Sequence, residues 1–183
     1  MKIQGAIPPG YVKAMEKKDA KELNPQAYIN QGKNQSVILS PDDQLTISFL
    51  QEESEKNYSK LRDIVKDMLR RQGVEVDKLE HLKDEDLEGV VIDEQAQEEA
   101  AQMIGPDGPL NAENTSDRIL KFAKAISGGD KSKLGKIRDA IEKGFEEAKK
   151  MLGGELPEIS NKTYDLVMEK LDAWENGEEV PEE

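Results

Sequence analysis

The clearest hydrophobic pattern lies in the C-terminal part of the chain, where apolar residues recur at spacings of three and four in three successive segments. That period places the apolar side chains on one face of a helix. Residues able to start a helix precede each segment, and glycine follows each one. Asn114 or Thr115 can cap the first helix, Asp130 can cap the second, and Pro157 and Ser160 introduce the third. The glycines are Gly128-Gly129, Gly153-Gly154 and Gly177. Because the loops are short, the pattern predicts antiparallel neighbouring helices, as in a bundle.

Two further helices are predicted nearer the N-terminus. Apolar residues over 58–69 form one face of an amphipathic helix that begins near Glu53, and Gly73 is a natural C-cap for it. Asp93 can cap a shorter helix, which ends at the glycine and proline residues of 105–109.

The first 50 residues follow neither of these helical patterns. Residues 1–36 are polar and hold too few apolar side chains to offset the entropy of ordering them, so we expect a mostly disordered tail. A short apolar segment follows at 37–49, and apolar and polar residues alternate from Leu45 to Phe49. This alternation favours a short strand or hairpin, and it fits an extended segment lying over a helical core equally well.

The pattern as a whole predicts a mainly α protein. About five helices form a bundle over 53–177, behind a flexible or partly extended N-terminal segment, 1–50. The helical domain includes an acidic connector, 74–92, with partial helix. An acidic tail, 178–183, follows it.

Charge changes the picture of possible partners. The chain has 39 acidic and 26 basic residues, a formal net charge of −13. This excess argues against general binding to nucleic acid or anionic membranes, which need clustered positive charge. The negative charge is uneven: residues 74–99 carry −9, whereas 54–73 and 113–152 each carry +3. We expect the connector to fold back over the basic helices; alternatively, the basic face binds an acidic partner.

Composition excludes several chemistries. The chain has no cysteine and one histidine, His81. It therefore has no disulfide, no thiol nucleophile, no Cys-ligated zinc or iron–sulfur site and no two-His metal face. His81 lies in the acidic connector without a legible catalytic partner, which favours a solvated histidine. We expect no cofactor and assign no catalytic residue, cofactor-binding residue or metal ligand.

Arg118 and the loop after the first C-terminal helix each have a functional and a structural interpretation. Arg118, in the first turn of its helix, could bind an anion. We favour a structural ion pair, with Asp165 or Glu169 of the last helix as candidate partners. The run Gly128–Lys133 lacks the spacing and the preceding strand of a phosphate-binding loop, so we interpret it as a helix linker. It also fails as a calcium loop, because Leu134 and Ile141 stand at the fifth and twelfth loop positions, which need oxygen ligands.

Several motifs occur in an order that resembles a known bacterial family. They are Leu61-Arg62-Asp63-Ile64-Val65, Met68-Leu69-Arg70-Arg71-Gln72-Gly73, Thr115-Ser116-Asp117-Arg118-Ile119-Leu120-Lys121-Phe122-Ala123, Gly144-Phe145-Glu146-Glu147-Ala148 and Leu156-Pro157-Glu158-Ile159-Ser160. Over roughly 45–176 the chain resembles a family of unknown function whose members are sometimes labelled "hydrogenase-4 component G". The resemblance implies no catalytic residues. If the label applies, it implies an accessory role without a cofactor.

These observations favour a non-enzymatic interaction or regulatory protein of the bacterial cytosol, with another protein as its partner. Two alternatives stay open. One is an export- or flagellum-associated factor that is recognised through its N-terminal tail. The other is a cofactor-free enzyme or a hydrogenase accessory subunit. No run of about 18 apolar residues spans a bilayer, and the first ten residues contain no signal-peptide core, so we expect a cytoplasmic protein without a membrane partner.

Overall fold

The computed structural model describes residues 39–74, 87 and 89–178, and it confirms a mainly α fold within that part of the chain. Five α-helices and one 3-10 turn make up the described bundle. They are α1 (Pro41–Arg71), α2 (Glu94–Ile104), α3 (Ala112–Ser127), the 3-10 turn (Lys131–Lys133), α4 (Leu134–Met151) and α5 (Glu158–Asn176). No helix in the described ranges is long and apolar enough to cross a membrane.

Helix α1 begins about twelve residues earlier than the periodicity predicts, and the extended segment predicted over 45–49 is wrong. The side chain of Ser40 accepts a hydrogen bond from the backbone N–H of Asp43 (3.1 Å), and Pro41 occupies the first helical position. Both features start a helix, and two acidic residues favour its first turn. Leu45 and Phe49 are four residues apart, so their spacing suits a helix as well as a strand.

Side-chain caps begin α2, α3 and the 3-10 turn, whereas α4 and α5 begin without a side-chain cap. Asp130 therefore caps the turn that leads into α4, and not α4 itself as predicted. Asp93 caps α2, as predicted, and its side chain accepts from the N–H of Ala96. Helix α3 starts earlier than predicted, because Asn111, not Asn114 or Thr115, accepts the capping hydrogen bond. The predicted glycine at the end of α5 is confirmed, since Gly177 has a φ of 78°.

The larger hydrophobic core joins α3, α4 and α5. Its buried residues are Leu120, Ala123, Leu134, Ile137, Val167 and Leu171. Phe145 of α4 packs edge-on against Tyr164 of α5, with ring centroids 5.1 Å apart. Nearer the start of α4, Arg138 bonds to Asp172 and Glu175, close to the end of α5. These contacts run in opposite directions along the two helices, so α4 and α5 are antiparallel neighbours, as predicted.

A smaller core lies between the C-terminal half of α1 and the start of α2. Its buried residues are Met68, Leu69, Val90 and Ala96. Gly73, with a φ of 80°, ends α1 and lets Val74 donate a hydrogen bond to the carbonyl of Leu69 (3.0 Å). The predicted tail 1–36, His81, most of the connector 74–92 and residues 179–183 lie outside the described residues.

Candidate functional site

The most concentrated group of polar side chains lies between α3 and α5, around Lys170. This lysine has only 7% of its side chain exposed. Its ammonium donates to Glu113 Oε1 (2.6 Å), to Ser116 Oγ (2.9 Å) and to the carboxylate of Asp117. All three partners lie on the first two turns of α3, so one cation fastens that end of α3 to α5. We call these four residues the Lys170 cluster.

The Lys170 cluster resembles a serine–lysine pair, but its electrostatics oppose nucleophilic catalysis. Burial lowers the pKa of Lys170, yet hydrogen bonds to Asp117 and Glu113 outweigh that effect, and the pKa is raised above its usual value. A general base must be deprotonated near neutral pH. Ser116 is fully buried and donates its hydroxyl proton to the carbonyl of Glu113 (2.7 Å). The arrangement therefore suits a structural clamp.

Arg118 makes a structural ion pair, although its partner is neither of the residues predicted. Its guanidinium contacts Glu53 of α1 (3.4 Å) and donates to the carbonyl of Pro109 (2.7 Å). A third contact is with the hydroxyl of Thr115 (3.2 Å). Arg118 thus links α1, α3 and the loop before α3. The predicted pairing with the last helix is wrong because Lys170 supplies the charged contact between α3 and α5.

The junction of α1 and α2 is fixed by two pairings. Arg71 makes two hydrogen bonds of 2.8 Å to the carboxylate of Asp93, the capping residue of α2. The side-chain amide of Gln72 donates to the carbonyl of Val91 (2.7 Å) and accepts from its N–H (2.9 Å). The hydrogen bond from Arg71, together with one from the N–H of Ala96, lowers the pKa of Asp93 below its usual value. The side chain of Val91 is left exposed beside Ile92.

The N-terminal part of α1 exposes two large apolar side chains on one side of the helix. Leu45 is 68% exposed and Phe49 is 65% exposed, and their spacing of four residues aligns them. Leu50 points the other way and is buried. From Pro41 to Glu55 the helix carries five carboxylates and no basic residue. We call the surface formed by Leu45, Phe49 and the acidic residues beside them the α1 face.

One buried polar group of α1 lacks a hydrogen-bond partner. The Nδ2 of Asn57 is buried, and the residue as a whole is 5% exposed. Asn57 lies one turn after Glu53, on the side of α1 that faces the rest of the bundle. A buried donor left unmatched typically lowers stability by about 1–3 kcal/mol.

The loop over 128–133 is a helix linker, as predicted. Gly128 and Gly129 have positive φ angles of 64° and 72°. The carboxylate of Asp130 accepts hydrogen bonds from the N–H (3.0 Å) and hydroxyl (2.7 Å) of Ser132, which lower its pKa. Across the described ranges, no group of three or more histidine or acidic side chains is arranged to hold a metal ion.

Comparison with known proteins gives no assignment. No family model, curated protein or solved structure matches the chain. The resemblance to the family labelled "hydrogenase-4 component G" therefore stays a prediction from the motifs.

Proposed function

We propose that the chain is a non-enzymatic interaction or regulatory protein of the bacterial cytosol, which binds another protein through the α1 face. The observation that carries the proposal is the exposure of Leu45 and Phe49, 68% and 65%, on one side of a capped helix. Aligned apolar side chains on a helix are the anchors by which a helix enters the groove of a partner. Burying a leucine or phenylalanine fully contributes about 1.5–3 kcal/mol, so two such anchors add substantially to affinity.

The charged clusters elsewhere in the bundle support the same proposal. The ammonium of Lys170 is matched by two carboxylates and a hydroxyl, and Arg118 is matched by Glu53 and a carbonyl. Because both cations are paired within the fold, we interpret their roles as structural. The α1 face differs, because its apolar groups have no cover from α2 to α5, which pack on the other sides of α1 or on one another.

Affinity capture from cells that express the protein naturally tests this proposal. The full chain is compared with a Leu45→Glu/Phe49→Glu variant and with a Met151→Glu/Leu152→Glu control. The control places two charges on another exposed apolar pair, which is 46% and 39% exposed. Helix content and melting temperature confirm that all three proteins fold.

The expected result is a protein that the wild type and the control retain and that the α1 variant loses. Titration of that purified partner should then give a Kd at least about tenfold weaker for the α1 variant, which is 1.4 kcal/mol. Equal retention by both variants, or no specific retention by any of the three proteins, would contradict the proposal.

A further inference from the structure

The α1 face combines apolar anchors with negative charge. Asp42 and Glu52 lie one turn before Leu45 and one turn after Phe49, and both are exposed. The first basic residue of α1 is Lys56, more than four turns into the helix if one counts from Pro41. A suitable occupant therefore has apolar side chains flanked by positive charge.

A second copy of α1 does not meet that requirement. If two copies of α1 packed through Leu45 and Phe49, either parallel or antiparallel, Asp42 and Glu52 of one copy would lie beside Asp42 and Glu52 of the other. Like charges that face each other across an interface destabilise it. The α1 face thus favours a basic occupant over self-association.

The chain itself contains a basic segment that is close in sequence to this face. Residues 1–38 hold six lysines and three acidic residues, a net charge of +3 in a chain whose total is −13. Residues 11–21 hold four of those lysines, at 13, 17, 18 and 21, against two acidic residues, at 16 and 19, a net charge of +2. The same segment carries Tyr11 and Met15, which are four residues apart, as Leu45 and Phe49 are.

Only a short length of sequence separates this segment from the α1 face. The helix starts at Pro41, and a rise of 1.5 Å per residue puts Phe49 only about 12 Å further along its axis. The 17 residues between 21 and 39 are ample for the chain to reverse direction. Two segments joined by a short link have an effective concentration of the order of millimolar for each other, so even a weak contact is populated.

We propose that residues 11–21 dock on the α1 face of the same chain. Tyr11 and Met15 contact Leu45 and Phe49, while the lysines lie against Asp42 and Glu52. The docked segment competes with an external partner, so it regulates access to the binding site. This regulatory consequence rests on the function proposed above, whereas the docking itself does not.

Paramagnetic relaxation enhancement measured on the full chain tests the docking. Because the chain has no cysteine, a single Ser48→Cys substitution places one nitroxide label beside Phe49. The reference is the same labelled chain carrying Phe49→Glu. A second label, at Ala140→Cys on the exposed side of α4, reports non-specific broadening.

The expected result is that amide signals of 11–21 lose at least about twofold more intensity with the Ser48 label than in the Phe49→Glu reference or with the Ala140 label. Lys17→Glu/Lys18→Glu should restore the signals. Raising the salt concentration from about 50 mM to about 500 mM should also restore them, because exposed charges are then screened.

Equal broadening in the labelled chain and its Phe49→Glu reference would overturn the docking. Broadening between a nitroxide-labelled chain and a separate isotope-labelled chain would also overturn it, in favour of a contact between copies.

The same variants separate this inference from the proposed function. If 11–21 competes with the partner, Lys17→Glu/Lys18→Glu should retain several-fold more of it in affinity capture. If the amide signals of 11–21 broaden but affinity capture finds no specific partner, the proposed function is contradicted and the docking is not. If affinity capture finds a partner that Leu45→Glu/Phe49→Glu loses, but the signals of 11–21 do not broaden, the docking is contradicted and the proposed function is not.

Discussion

Lys170 is the residue on which the contact between α3 and α5 most depends. It is a buried cation whose favourable interactions all come from α3, namely from Glu113, Ser116 and Asp117. Its pKa is raised in the folded chain, so its contribution to stability is fully present below the unfolded pKa, about 10.4. The contribution is lost only as the pH rises through the still higher folded pKa.

Replacing Lys170 with methionine should lower the free energy of unfolding by about 3 kcal/mol, because it leaves Asp117 without its buried counter-ion. The measurement is urea denaturation at pH 7, followed by circular dichroism. Lys162→Met is the matched control, since Lys162 is an exposed lysine of the same helix. The control should change the unfolding free energy by less than about 0.5 kcal/mol. Equal effects of the two substitutions would contradict the role of the cluster.

The Lys170 cluster was only partly predictable from the sequence. The motif containing Ser116 and Asp117 stood out, but the lysine that joins them did not. One signal was available: Lys170 falls three residues after Val167 and beside Leu171, within the apolar stripe of α5. A charge in that stripe must be paired if it is buried. Its partners are more than fifty residues away, so only the fold could identify them.

At the scale of an element, the start of α1 carries two opposing signals: its polar–apolar alternation favours a strand, whereas its capping residues favour a helix. Alternating polarity from Leu45 to Phe49 favoured an extended segment, whereas the structure continues α1 through it. Ser40 and Pro41 carried the correct signal, because they form a helix N-terminus. The predicted extended segment is wrong because Leu45 and Phe49 are apolar although they do not face the core.

Asp93 should give the stability of the α1–α2 junction a measurable pH dependence. Its pKa is lowered in the folded chain, chiefly by the hydrogen bond from Arg71. Its contribution is therefore present above the unfolded pKa, about 3.9, and is lost as the pH falls through the lower folded pKa.

An Asp93→Asn variant should be less stable than the wild type at pH 7, and the difference should shrink between pH 4 and pH 2.5. Urea denaturation across that range measures it. Glu98→Gln is the control, because Glu98 is an exposed acidic residue of α2. A difference between wild type and Asp93→Asn that stays constant on acidification would contradict the assigned pairing.

At the scale of the whole molecule, the described chain has two cores of unequal size. The core of α3, α4 and α5 contains six buried apolar residues, whereas the core between α1 and α2 contains four. Periodicity and glycine positions predicted the helices of the larger core well. They did not predict this division, because it depends on which helices meet.

Unequal cores predict unequal local stability. We expect amide hydrogens of α2 to exchange at least about tenfold faster than those around Leu120 and Val167, since local opening follows the number of buried apolar contacts. Native-state hydrogen exchange at pH 7 measures this difference directly. Uniform protection across both cores would show that they open as a single cooperative unit.

Trp174 is the only tryptophan of the chain, and it packs on the larger core with the ammonium of Lys124 6.0 Å from its ring. Because of this position, fluorescence and circular dichroism observe different parts of the bundle. Indole fluorescence reports on the α3–α5 part of the bundle and is insensitive to separation of α1 from α2. Far-ultraviolet circular dichroism weights every helix, and α1 is the longest of the five described. The two signals should therefore follow different denaturation midpoints. The midpoints, together with the slope of each transition, would give the difference in free energy of unfolding between the two cores without any added label.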